Sequence, residues 1–221
     1  MDIVVYVASG IILLAFIISL VIRHERKRRE ALRLTAQTLG YGYTRKMELE
    51  GIGKAEMFHL FNIGHSKQIR NFMKREESGF RQLIYEYQYT TGGGQNSHTA
   101  IQTVFQFESE RLKLPAFIIR PENIFHKIGQ SFGYKDIDFD AYPEFSKKTL
   151  LRGEDETTIR KLFNQEIVEI FKIGKGLVVE GKDQMMICYR SAKRIKPDRL
   201  RVEAEQMQNL YHTFIRRCEY I

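Results

Sequence analysis

An uncharged run of twenty residues, Ile3 to Ile22 (IVVYVASGIILLAFIISLVI), limits this chain more than any other feature. At the helical rise of about 1.5 Å per residue it spans ~30 Å, the thickness of a bilayer's hydrocarbon core. A helix satisfies its own backbone hydrogen bonds, as lipid demands of any spanning segment. A cleaved signal peptide would carry basic residues before the run and small residues at its end. Here Asp2 precedes it and Arg23-His24-Glu25-Arg26-Lys27-Arg28-Arg29 follows. The run is therefore expected to be an uncleaved signal-anchor, a single-pass transmembrane helix that meets the lipid bilayer through Ile3 to Ile22.

The same flanks set an orientation. Six Lys/Arg residues lie between Arg23 and Arg33 and none precede the run. The positive-inside rule places the N-terminus outside and the C-terminal domain in the cytoplasm. Cys188 and Cys218 are then expected to be free thiols. The net charge of +8 divides into +3 over residues 1–35 and +5 over the remainder. Topology and attraction to anionic lipid, worth about 1 kcal/mol per basic residue near the surface, account for the first part without nucleic acid.

Past the anchor, helix is expected through the basic cluster to Leu39, with Leu32, Ala36 and Leu39 on one face and Gly40 as the stop. A short strand at Tyr41–Thr44 and a helix over 52–62 follow. Gln68–Arg75 and Phe80–Thr90 read as strands around a turn at Glu76–Gly79. Leu83, Tyr85, Tyr87 and Tyr89 alternate with Gln82, Glu86 and Gln88. Residues 99–110 repeat this, with Ile101, Thr103, Phe105 and Phe107 against Gln102, Gln106 and Glu108. The expectation is two antiparallel neighbours with one aromatic buried face and one wet face. A strand at Pro115–Arg120, a helix from Pro121 to Ile128, and strands at Lys135–Asp140 and Ser146–Arg152 come next. A helix starting near Glu154–Glu156 shows Ile159, Leu162, Phe163, Ile167 and Ile170 on one side. A hairpin turns around Gly181-Lys182-Asp183. From Pro197, a last helix carries Leu200, Ala204, Met207, Tyr211, Phe214 and Cys218 along one stripe.

The class is α+β, a mostly antiparallel sheet covered by helices and preceded by one N-terminal transmembrane helix. The expected divisions are a transmembrane anchor at 1–22, a basic juxtamembrane helix at 23–40 and a cytosolic domain at 41–221.

Motifs for chemistry are sparse. Thr91-Gly92-Gly93-Gly94-Gln95-Asn96-Ser97-His98 is followed by a strand, whereas a phosphate-cradling loop needs a helix there, so it reads as a hairpin connection. Asp136, Asp138 and Asp140 would share one face of a strand and could hold a metal such as Mg²⁺ or Ca²⁺. A solvent-facing strand opposite Ile137 and Phe139 accounts for the same pattern, and the calcium-loop glycine and glutamate are replaced by Ala141 and Lys147. His126 precedes these acids by ten residues and could approach them; His59 and His65 form no HExxH pattern. Cys188 and Cys218 sit among apolar residues as core, not as nucleophiles. A second basic cluster spans Arg190 to Arg201. Arg26, Lys27, Arg28, Arg29, Lys193, Arg194 and Lys196 are the candidates for binding an anionic phospholipid surface, with a solvated basic turn as the plainer reading of the second group.

The segments LPAFIIRPENIFHKIG, GYKDIDFD, PEFSKKTLLRGEDETTIRKLF and VEGKDQMMICYR resemble a group of uncharacterised bacterial single-pass membrane proteins with a cytosolic α+β domain. The likeness runs from about Leu114 to Arg190 and includes the anchor plan. It implies a bacterial source and carries no activity, cofactor or catalytic residue; with the orientation above, the location expected is the bacterial inner membrane. The function expected is a membrane-anchored cytosolic module that binds a partner protein or the inner membrane surface. A metal-dependent enzyme using the Asp136/Asp138/Asp140 face and a lipid or nucleotide sensor are the alternatives.

Overall fold

The computed structural model describes residues 2–122, 136–174 and 176–220. The apolar run and the basic cluster form one unbroken helix, α1 (Asp2–Thr38). It is long and apolar enough to cross a membrane, and its apolar residues from 6 to 22 are left uncovered by the rest of the chain. Beyond them the helix turns a face inward, burying Leu32 and Ala36. Gly40 ends it at φ 77°, a left-handed conformation that an L side chain resists.

Eight strands follow: β1 (Gly42–Met47), β2 (His65–Glu77), β3 (Phe80–Thr91), β4 (His98–Ser109), β5 (Leu114–Pro121), β6 (Thr149–Gly153), β7 (Leu177–Asp183) and β8 (Met185–Arg190). They build one sheet in the order β1-β2-β3-β4-β8-β7-β5-β6, with every neighbouring pair antiparallel. The helices α2 (Pro143–Ser146), α3 (Glu156–Leu162), α4 (Gln165–Ile173) and α5 (Leu200–Cys218) complete the described α+β architecture. The stripe of α5 packs as its spacing requires, with Leu200, Ala204, Met207, Tyr211, Phe214 and Cys218 all buried.

The wet face expected of β3 and β4 is not wet. Cross-strand partners point the same way, and the register pairs Tyr85 with Val104 and Tyr87 with Gln102, but Ile84 with Phe105 and Gln82 with Phe107. The tyrosines of β3 and the phenylalanines of β4 therefore lie on opposite faces. Both faces are covered. Helices α1, α3, α4 and α5 pack with Ile84, Phe105 and Phe107, while Ile52, Phe58 and Phe61 cover Leu83, Tyr85, Tyr87 and Tyr89. Gln82, Glu86, Gln102 and Gln106 are consequently buried.

Other boundaries also moved. The helix expected over 52–62 is three short 3-10 turns, Leu49–Ile52, Ala55–Met57 and His59–Asn62. They are held by polar groups of the sheet: the Gln106 amide donates to the Ile52 carbonyl at 2.8 Å while its oxygen accepts from the Tyr85 hydroxyl at 2.8 Å. The single helix expected after Glu156 breaks at Phe163. Asn164 starts a second helix by accepting the Ile167 amide at 3.1 Å, an N-cap that competes with helix continuation. Pro121 closes β5 instead of opening a helix; the remainder of that expected helix, with His126, and Lys135 lie outside the described residues. Residues 136–140 contribute an isolated bridge between Asp136 and Arg152 in place of a strand, and Ser146 belongs to α2, so that β6 begins at Thr149.

Candidate functional site

The most heavily built polar site joins α1 to the sheet. Glu86, on β3, is buried on the face that α1 covers. Its Oε1 accepts from both Nε and Nη2 of Arg28, the former at 3.0 Å, and from Arg194 Nε at 3.2 Å. Its Oε2 accepts from Asn71 Nδ2 at 2.7 Å and Arg194 Nη2 at 2.9 Å. Arg194 then spreads over Glu25 in a bidentate pair of 2.8 and 2.9 Å. This pairing holds the Glu25 carboxyl below the usual carboxylate range and the Arg194 guanidinium above its ordinary value. Two arginines meet two glutamates, so the charges cancel where water is largely excluded.

Local structure explains how these groups meet. Glu25, Arg28, Leu32 and Ala36 follow one another at helical spacing on one side of α1, so the stripe that docks the helix continues upward as charge. The register of β2 shifts between Arg70 and Met73, and Asn71 sits there at φ 49°. Such a bulge re-aims its side chain, and asparagine tolerates the left-handed region better than most residues. Asn71 Oδ1 in turn accepts the Tyr43 hydroxyl at 2.7 Å. Arg194 is presented by the turn after β8, which is stitched to β4: Ala192 N–H donates to Gln102 Oε1 at 2.9 Å and Ile195 N–H to Thr103 Oγ1 at 2.9 Å. Arg28 Nη2 closes the ring on the Ile195 carbonyl at 2.7 Å. Both Glu86 oxygens are occupied by donors of the chain itself, which makes the arrangement a lock between elements.

Of the seven basic residues singled out for an anionic surface, Arg28 and Arg194 are thus committed to Glu86. Arg26, Lys27, Lys193 and Lys196 are exposed, and Arg29 is half-buried.

A second buried carboxylate lies on the opposite face. Glu180 of β7 accepts the backbone N–H groups of His59 and Leu60 at 2.5 and 3.2 Å and the Tyr189 hydroxyl at 2.9 Å. Burial pushes its carboxyl up to about 7 despite these donors and nearby Arg120. Burial, with Arg120, pushes the His59 imidazole down to about 4. Glu180 tethers the turn His59–Asn62 to the sheet.

Asp136, Asp138 and Asp140 alternate with buried Ile137 and Phe139 and are exposed. Arg152 Nε donates to Asp136 Oδ1, and Arg160 Nη1 donates to the Asp138 carbonyl at 2.7 Å. Among the described residues no three His, Cys, Asp or Glu side chains gather as a metal site would require. His65 is exposed and contacts Ser66 Oγ and the Gly92 carbonyl, each at 3.0 Å. Both cysteines are free and buried, and burial drives both thiols upward, away from nucleophilic use.

Sequence reasoning missed Glu25, Asn71, Glu86 and Glu180. The i, i+3, i+7 continuation of the Leu32/Ala36 stripe back to Glu25 and Arg28 was the available signal for the α1 side of the lock. No protein-family model matches the chain, and no curated protein is significantly similar to it. Among solved structures, the chain is similar to the crystal structure of the mycobacterial trehalose monomycolate transport factor A, with a TM-score of 0.61 and 8% sequence identity over 87% of this chain and 94% of that one. At that identity the likeness is one of fold.

Proposed function

We propose that this protein is a membrane-anchored, non-enzymatic module whose α+β domain stands directly on the cytoplasmic face of a bacterial inner membrane and engages a membrane-embedded partner protein there. The observation that carries the reading is the Glu86 lock. Glu25 and Arg28 lie one to two helical turns past Ile22, about 5 to 9 Å along the axis, and are fixed to the sheet without an intervening linker. Such fixation suits a domain that must present one surface to a neighbour in the same bilayer. The fold shared with a mycobacterial transport factor supports a role in transport. The six basic residues after the anchor support the cytoplasmic side.

Two measurements on the full chain test this. A reporter fused to the C-terminus should be active only in its cytoplasm-dependent form; activity of a periplasm-dependent reporter would overturn the orientation. Crosslinking in native membranes, followed by identification of the captured proteins, should return an integral membrane protein reproducibly, and return it less from a Glu86→Gln variant. Recovery of the chain alone would sink the partner reading.

A further inference from the structure

Beside the lock, α1 and the β1–β2 edge of the sheet enclose a groove of about 350 Å³. Its upper wall is Val21 and Ile22, the last apolar residues of the run and 57% and 46% exposed. Its lower wall carries four cations, Arg29 from α1, Arg45 and Lys46 from β1, and Arg70 from β2. Among the described residues the only acid on the wall is Glu25, and Arg194 already holds both of its oxygens. The groove is therefore strongly positive.

The cations are arranged at a cost to the fold. Lys46 stands directly opposite Arg70 in the β1–β2 register, and like charges in that position repel. Arg45 and Lys46 have no carboxylate partner among the described residues, and Arg70 reaches only the neutral Gln68 Oε1, at 3.2 and 2.5 Å. An anion between these side chains would relieve the repulsion. The apolar upper wall narrows its identity. Inorganic phosphate has no use for Val21 and Ile22, and single-stranded nucleic acid calls for stacking aromatics, of which the lining has none. A phosphodiester joined to acyl chains satisfies both walls, with the phosphate at Arg45, Lys46 and Arg70 and the chains running up along α1.

We infer that this groove is a binding site for the headgroup of an anionic phospholipid. The inference rests on the reading of residues 3–22 as a bilayer-spanning anchor, which brings the groove to the boundary between hydrocarbon and headgroups. It adds a specific lipid site to the broad basic surface, and places it on Arg45, Lys46 and Arg70, away from the cluster after β8.

The test uses the full chain in detergent micelles, with native mass spectrometry counting lipid adducts during titration with phosphatidylglycerol, phosphatidylcholine or inorganic phosphate. Phosphatidylglycerol should be retained in preference to phosphatidylcholine, and inorganic phosphate should not displace it. Affinity should fall about fivefold for each charge removed in Arg45→Gln, Lys46→Gln and Arg70→Gln. These three residues are exposed, so the variants should keep the thermal unfolding midpoint of the parent, or raise it as the repulsion is relieved. A Lys54→Gln/Lys113→Gln variant, which removes two exposed charges near the Ser78-Gly79 end of the sheet, should bind as the parent does. Equal loss in that control, equal retention of phosphatidylcholine, or displacement by inorganic phosphate would each overturn the inference. Alkaline extraction of the same protein from phosphatidylcholine vesicles separates the failures. A chain that resists extraction yet shows no phosphatidylglycerol preference refutes the groove alone; a chain that is extracted refutes the anchor, and the groove with it.

Discussion

Two buried carboxylates, Glu86 and Glu180, are met by different kinds of donor. Glu86 lies against two guanidinium groups, while Glu180 has peptide N–H groups, a phenol and Arg120. The Glu180 carboxyl therefore sits at about 7 in the folded protein against an ordinary 4.5. A raised acid pKa means the folded state binds the proton more tightly, so this group withdraws stability as pH rises from about 4.5 to about 7. His59 has the opposite slope: with its folded value at about 4 against 6.5, stability falls as pH drops through that window. The two largely offset each other in the parent. Glu180→Gln keeps an oxygen acceptor for His59 and Leu60 and removes one slope. Relative to the parent, the variant should gain on the order of 3 kcal/mol in denaturant unfolding between pH 4.5 and 7. A parent–variant difference that stays constant with pH would show that Glu180 does not titrate there.

Among the elements, α1 is held to the sheet by an apolar and an ionic set of contacts. Leu32 and Ala36 supply its apolar dock, but the turn nearest the apolar run is held by Arg28 and Glu25. Glu86→Gln leaves two guanidinium groups facing a neutral amide, and breaking a buried pair from one side costs about 3 kcal/mol or more. We expect a loss of that size in unfolding of the full chain. Hydrogen exchange over residues 23–31 should quicken while residues 80–90 stay protected. Unchanged exchange in the helix would remove the lock as the cause of its docking. A smaller effect is expected at the α3–α4 break, where Asn164→Ala deletes an N-cap and should cost about 1 kcal/mol in the same assay.

At the scale of the whole molecule, the path of α1 gives the sheet two distinct ends, and with α1 in a bilayer as proposed one of them is membrane-proximal and the other membrane-distal. The helix meets Glu86 at Arg28 and has reached the far end of β2 by Tyr41, whose ring lies under Arg75 with the guanidinium 5.2 Å from its centroid. In the proposed setting, the β3–β4 connection at 91–98 and the turn at 191–196 lie at headgroup level, and the Ser78-Gly79 turn points into the cytoplasm. Nitroxide labels on Ser97→Cys and Ser78→Cys, read in vesicles with a lipid-bound paramagnetic relaxer, should differ strongly, with Ser97 the more relaxed. Cys188 and Cys218 are buried and should not compete for the label. Equal relaxation at both positions would mean that the domain does not hold a fixed attitude to the bilayer.

Much of this architecture is legible in the chain because the signals are local. Twenty uncharged residues define a helix of spanning length wherever they occur, and the periodicity of β3, β4 and α5 follows from backbone geometry alone. Periodicity cannot say whether the second face of a strand is covered, so Gln82, Glu86, Gln102 and Gln106 read as wet although distant segments bury them. The Glu86 lock draws on residues separated by up to 169 positions, and the groove on residues of three elements. A charged side chain has the same local signature whether it faces water, lipid or a buried partner. The sequence by itself determined the apolar helix, the antiparallel strands and the excess of positive charge beside the apolar run. Only the tertiary structure decided which of those charges are neutralised inside the fold and which remain to face an anion, because that depends on which carboxylates the packing of both sheet faces brings within reach.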